Sequence, residues 1–106
     1  MKALILIAAL AAFATPALAD GPITVTLKDH KFTPSVITVK ANEPVVIHLI
    51  NNDATAEEFD SVALKVEKVV AGASAGDVHI RPLGPGKYPF MGEYHAATAQ
   101  GFVIAQ

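Results

Sequence analysis

The stretch GKYPFMGEYHAATAQGFVIA, Gly86 to Ala105, decides how the fold is read. Tyr88 and Phe90 alternate with Lys87, Pro89 and Met91, the period-two pattern of a strand with one apolar face. The next position on the aromatic face is Gly92, which has no side chain to offer. A loop carrying a single histidine, His95, follows, and Gly101–Ala105 reads as a second strand. The run Gly84-Pro85-Gly86 just ahead is a strong turn, because proline fixes its own φ and glycine accepts almost any.

Working outward, the same alternation recurs. ITVTLKD sets Ile23, Val25 and Leu27 on one face against Thr24, Thr26 and Lys28. Val36–Lys40 and Pro44–Asn51 are two further runs joined by a short turn at residues 41–43, and Asn51, Asn52 and Asp53 stop the second. The middle is less regular: Ala54–Val66 is compatible with a helical turn, Glu67–Val70 with a strand, and Gly72–Gly76 with a small-residue loop. DVHIRPL is a strand ended by Pro82. About seven short strands separated by turns predict an all-β, Greek-key antiparallel sandwich. No helical pattern of ten or more residues links them, which excludes a doubly wound α/β fold. Phe32, Phe59, Tyr88, Phe90 and Phe102 are the expected aromatic core.

The amino terminus reads differently. MKALILIAALAAFATPALAD has one charge at Lys2, an apolar run from Ala3 to Phe13, and Ala17-Leu18-Ala19 before Asp20. That is the pattern of a secretory signal peptide over residues 1–19, too short and too broken by Pro16 to span a bilayer. The exported domain is then 20–106 and is expected to hold no membrane span. Without Lys2 it carries seven Lys+Arg against ten Asp+Glu, a net charge of −3. An acidic chain lacks the basic face that nucleic acid requires. There is no cysteine, so disulfides, thiol nucleophiles and thiolate metal sites are all excluded.

HKFTPSVITVKANEPVVIHLINND, with GPGKYPFMGEYH and QGFVIA, resembles the two halves of a cupredoxin: an aromatic-x-Pro entry, a strand ending in asparagine, a Tyr-x-Phe strand, a ligand loop and a closing strand. The resemblance implies a sandwich with a metal site at one end, fed by two loops. In a blue-copper member the first loop supplies histidine and the second supplies cysteine, histidine and methionine. Here Glu57 stands in the first histidine's place, Gly92 in the cysteine's, and Ala99 and Gln100 near the methionine's; only His95 matches. Blue copper depends on the thiolate, so electron transfer through such a centre is excluded. The departures, EEFDS and EKVVAGASAGDVHIRPLGPGKYPFMGEYHAATAQG, resemble the EfeO-type branch of cupredoxin-like domains. Its relatives accompany bacterial periplasmic iron transport, some working beside an iron permease. That implies a carboxylate-rich site for a copper or iron ion, in the periplasm.

The expected metal ligands are therefore His95, Glu58, Glu57 and Glu93. Glu57, Glu58 and Asp60 lie on one expected loop and Glu93 and His95 on another, which the implied fold brings together. Carboxylates with one imidazole suit Fe(II), Fe(III), Cu(II), Mn(II) or Zn(II). Met91 points off the Phe90 face and reads as a packing residue, Asp60 as a turn residue, His30 as a cap or surface residue, and His48 and His79 as strand residues. Two functions stay open: a metal-binding accessory protein, able to oxidise Fe(II) only if a redox ion is retained, and a metal-free sandwich whose acidic loops dock on a permease or another periplasmic partner. A hydrolase is excluded by the lack of any nucleophile context.

Overall fold

A computed structural model describes residues 21–106; the expected signal peptide lies outside the described residues. The strands are β1 (Ile23–Lys28), β2 (Lys31–Thr33), β3 (Val36–Val39), β4 (Val45–Asn51), β5 (Glu57–Ser61), β6 (Val66–Val70), β7 (Ser74–Ile80), β8 (Gly86–Gly92) and β9 (Gln100–Ala105), with one 3₁₀ turn at Glu93–His95. They form a four-stranded sheet in the order β2-β1-β4-β7 and a five-stranded sheet in the order β3-β9-β8-β5-β6. The sandwich is thus all-β, as the alternation predicts. Among the described residues no helix is long and apolar enough to cross a membrane.

Two details correct the sequence reading. There are nine strands among the described residues, not seven, and the sheets are mixed, because β1 pairs parallel to β4 and β3 parallel to β9. β2 is missed because it is only three residues long, Lys31–Thr33, too short to show an alternation. β5 is missed, and its residues read as a loop or helical turn, because its inward positions are Glu57, Phe59 and Ser61. Two polar residues on the buried face hide the period that betrays a strand. The expected loop at 72–76 is also shorter, since β7 begins at Ser74.

Inward residues of both sheets make one core: Val25, Leu27, Ile47, Leu49 and Val78 from the first sheet, and Ile37, Val39, Phe59, Phe90 and Val103 from the second. Each such side chain contributes roughly 1.5–3 kcal/mol on burial, and with no cysteine this packing carries the fold. Phe59 and Phe90 stack with centroids 4.7 Å apart, and Phe32 meets both edge-on. Phe102 is a correction. It alternates with buried Gly101 and Val103, so it faces outward, 38% exposed, with the Lys87 ammonium 3.9 Å above its ring. Met91 is likewise on the outer face rather than packed inside.

Pro89 lies within β8, which has neighbours on both sides, a placement proline normally avoids. The register resolves it: β5 pairs with β8 only at Phe59–Gly92 and Asp60–Met91, so β8 has parted from β5 before Pro89 is reached. The Ser61 hydroxyl then donates to the Pro89 carbonyl at 2.7 Å. At the other end of the sandwich core, buried Asn51 donates to the carbonyls of Thr55, Val70 and Ala71 and accepts from the Asp53 N–H. This ties the end of β4 to the loops around the candidate site.

Candidate metal centre

Glu57 is the first inward residue of β5 and is wholly buried. Its Oε1 accepts the backbone N–H of Tyr94 at 2.9 Å and that of Glu58 at 3.1 Å. Its Oε2 lies 2.5 Å from Nδ1 of His95. His95 ends the 3₁₀ turn that follows β8, and its carbonyl accepts from Thr98 and Ala99, which fastens the loop. Every buried side-chain polar atom among the described residues has a partner. The carboxylate therefore ties the loop to the strand with both of its oxygens engaged.

Gly92 explains the geometry. A Cβ built there stands 2.6 Å from the Glu57 carboxyl carbon and 2.8 Å from the Ala99 Cβ. The carboxyl group occupies the space into which any side chain at 92 would point. Glycine at 92 and a buried glutamate at 57 are thus two halves of one packing solution. A copper ion held by thiolate does not fit this chain: it has no cysteine, and the space at 92 is taken.

A second imidazole joins the first. The rings of His30 and His95 stack with centroids 3.5 Å apart and planes 12° from parallel. His30 arrives by an unusual turn, with Asp29 at φ 51 and His30 at φ 57. Such left-handed geometry costs a non-glycine residue roughly 1 kcal/mol or more each. Asp53 compensates: its two oxygens accept the N–H groups of Asp29 at 2.8 Å and His30 at 2.9 Å. The His30 N–H, with the Asp29 N–H and nearby positive charge, holds the Asp53 carboxyl below the ordinary carboxylate range despite burial. The sequence reading missed the role of His30. The available signal was Asp29-His30 between two alternating runs, a two-residue hairpin loop.

The four residues named from sequence fall into two pairs. Alternation along β5 sends Glu57 inward to His95 and Glu58 outward, where Glu58, Asp60 and Glu93 each place an oxygen within 4.8 Å of the others. Glu58 and Asp60 are strand residues, not loop or turn residues. Partial burial, then the hydrogen bond and charge of Glu93 with further repulsion from Glu67 and Asp60, raises the Glu58 carboxyl above its usual range. Burial and the neighbouring Glu58 likewise raise the Tyr94 hydroxyl. A carboxyl raised in the folded state gives stability that is present at low pH and lost as pH rises through the folded value. Glu58→Gln should therefore raise the melting temperature at neutral pH, with the gain shrinking as pH falls through the folded carboxyl's raised range, as thermal scans across acidic and neutral pH will show. The other histidines stand apart: His48 pairs across strands with Asp77 at 2.7 Å, and His79 is exposed.

Comparison with known proteins agrees with the fold. A family model described as a cupredoxin-like domain matches residues 2–105. An uncharacterized protein of Rickettsia prowazekii (strain Madrid E) is 40% identical over 82 residues, 77% of this chain and 66% of that one. The chain thus spans just under two thirds of that relative's length. Among solved structures, the metal-binding domain of the Cu(I)-exporting P-type ATPase of Streptococcus pneumoniae D39, determined with Cu(I), is similar at TM-score 0.69 and 13% identity over 85% of this chain and 91% of that one. Auracyanin A, a blue copper protein of Chloroflexus aurantiacus, is similar at TM-score 0.64 and 17% identity over 81% of this chain and all of that one. At such identities the likeness concerns the fold alone.

Proposed function

The chain belongs to the family of cupredoxin-like domains, and from that premise we propose that it is an exported accessory protein that carries a copper or iron ion without a blue-copper centre. The observation that supports this reading is the contact between Glu57 and His95. A carboxylate only accepts, so Nδ1 of His95 carries the proton and Nε2 keeps its lone pair. Backing a metal-binding imidazole with a carboxylate is the usual means of fixing its tautomer and raising its basicity. His95 is accordingly the nitrogen ligand, and Glu57 orients it. Glu58 and Glu93, with Asp60, supply oxygens on the outer side of β5 at the neighbouring positions. The imidazole and the outer carboxylates are separate groups of nitrogen and oxygen donors, both of a kind that suits Cu(II) or iron and not Cu(I).

The surroundings fit a carrier. A bound redox ion would supply electron exchange with ferrous iron, while the chain's own residues bind and orient. The signal-like residues 1–19 and the resemblance to EfeO-type domains support a periplasmic role in iron uptake beside a permease or another transport component. Calorimetric and thermal-shift titration of the purified protein with Cu(II), Fe(II) and Zn(II) tests the reading. Micromolar or tighter binding of Cu(II) or Fe(II) is expected, at least 100-fold weaker in His95→Ala, with no intense thiolate band from the copper form. If no ion moves the melting temperature or produces heat, the carrier reading fails.

A second reading has its own support. The Glu57 carboxylate is fully engaged by the Tyr94 and Glu58 N–H groups and by His95 Nδ1, and the outer face of the five-stranded sheet exposes Val36, Met91 and Phe102 beside the acidic Glu58 and Asp60. A metal-free sandwich could dock a basic partner there, as charge complementarity favours.

A further inference from the structure

We infer that His30 is a second imidazole of this metal centre, so that a borderline cation such as Cu(II) is held between Nε2 of His95 and a ring nitrogen of His30. The inference rests on the carrier reading and adds a ligand from a different sheet. Three observations carry it. The first is the stack itself, 3.5 Å between centroids, which places two imidazoles on one partly exposed surface.

The second is the backbone that delivers His30. Two consecutive non-glycine residues are left-handed, and a largely buried carboxylate is committed to holding both of their N–H groups. Asparagine or glycine would adopt this turn more readily. Backbone strain held in place by its surroundings concentrates at functional sites, and the reasoning runs from the observed outlier to the role.

The third is the state of the ring. Among the described residues no hydrogen bond engages the His30 side chain; the Asp53 carboxylate lies 4.0 Å from its Nε2, beyond hydrogen-bond reach. His95 by contrast is pinned through Nδ1 by Glu57. Parallel rings direct their lone pairs side by side rather than at one point, so one ring must turn about its Cβ–Cγ bond to share an ion. His30, on a hairpin tip and unbonded, is the ring that turns. Two imidazoles with carboxylates behind them select Cu(II) or Zn(II) over Mg(II).

The test uses His30→Asn, which preserves the left-handed turn while removing the ring, and His30→Gly as a second variant should the first fold poorly. Cu(II) is titrated calorimetrically into each protein, and nitrogen hyperfine splitting is counted by electron paramagnetic resonance. The wild type is expected to show two coordinated imidazole nitrogens. The variants should show one and bind at least tenfold more weakly, with melting temperatures close to wild type. Unchanged affinity and nitrogen count in a folded variant would remove His30 from the centre and leave the carrier reading standing. Absence of Cu(II) binding by the wild type would overturn this inference, while the carrier reading falls only if Fe(II) and Zn(II) fail to bind as well.

Discussion

Glu57→Ala is expected to lower the unfolding free energy by about 3 kcal/mol, the low end for breaking a buried pair by removing one member. For a domain of this size that is a fall of roughly 15 °C in melting temperature. The figure follows from what the carboxylate holds. Its loss strands the N–H groups of Tyr94 and Glu58 and Nδ1 of His95, and it opens a space beside Gly92. The low end applies because the His95 side chain is 25% exposed, so water recovers part of the loss. Glu57→Gln separates the two roles of the residue. It keeps the shape and an acceptor for the backbone, so most of the stability should survive. Its neutral amide no longer fixes the proton on Nδ1, so metal affinity should fall while the fold stands. Denaturant unfolding measures the first effect and metal titration the second. An alanine variant within about 1 kcal/mol of wild type would mean that the carboxylate does not anchor the loop.

Gly92→Ala should cost about 2 kcal/mol, in the range found for overpacking a filled site. Gly92 sits at φ −89 and ψ 106, a conformation open to any residue. Replacing glycine by alanine there would otherwise stabilise by about 0.4–1 kcal/mol through the unfolded chain. A net loss can therefore come only from collision with the Glu57 carboxyl and the Ala99 Cβ, at 2.6 and 2.8 Å. A double-mutant cycle isolates the first of these. In the Glu57→Ala background the cost of Gly92→Ala should shrink by about 1 kcal/mol or more, and the remainder belongs to Ala99. Additive effects of the two substitutions would show that the carboxyl does not fill the space at 92. Gly92→Cys meets the same obstruction, so adding back a thiol at this position alone does not rebuild a copper–sulfur site.

The strands of the hydrophobic core were legible because Val25, Leu27, Ile47, Leu49 and Val103 repeat every second residue on faces that sequence alternation displays directly. β5 was not, because Glu57 and Ser61 face inward, and a polar residue on a buried face looks like a loop until its partners are known. Those partners lie far along the chain: Tyr94 and His95 for Glu57, Pro89 for Ser61. The parallel pairing of β1 with β4 and β3 with β9 is equally silent in sequence, since alternation reports which face is buried and not which neighbour runs alongside. Within the candidate site, His95 and the acidic run were visible through resemblance. The separation of Glu57 from Glu58 followed only once β5 was known to be a strand. His30 was hidden because its ring partner is 65 positions away and its left-handed turn leaves only a two-residue trace.

The imidazole stack also spans the molecule in a way its neighbours do not. His30 hangs from the hairpin of the four-stranded layer and His95 from the loop of the five-stranded layer, so their contact bridges the mouth of the sandwich. Ring-current shifts between them depend steeply on separation, and a slide of one layer past the other by a fraction of an ångström would register in both proton spectra. The protein carries its own strain gauge at the rim, readable by histidine resonances without any label.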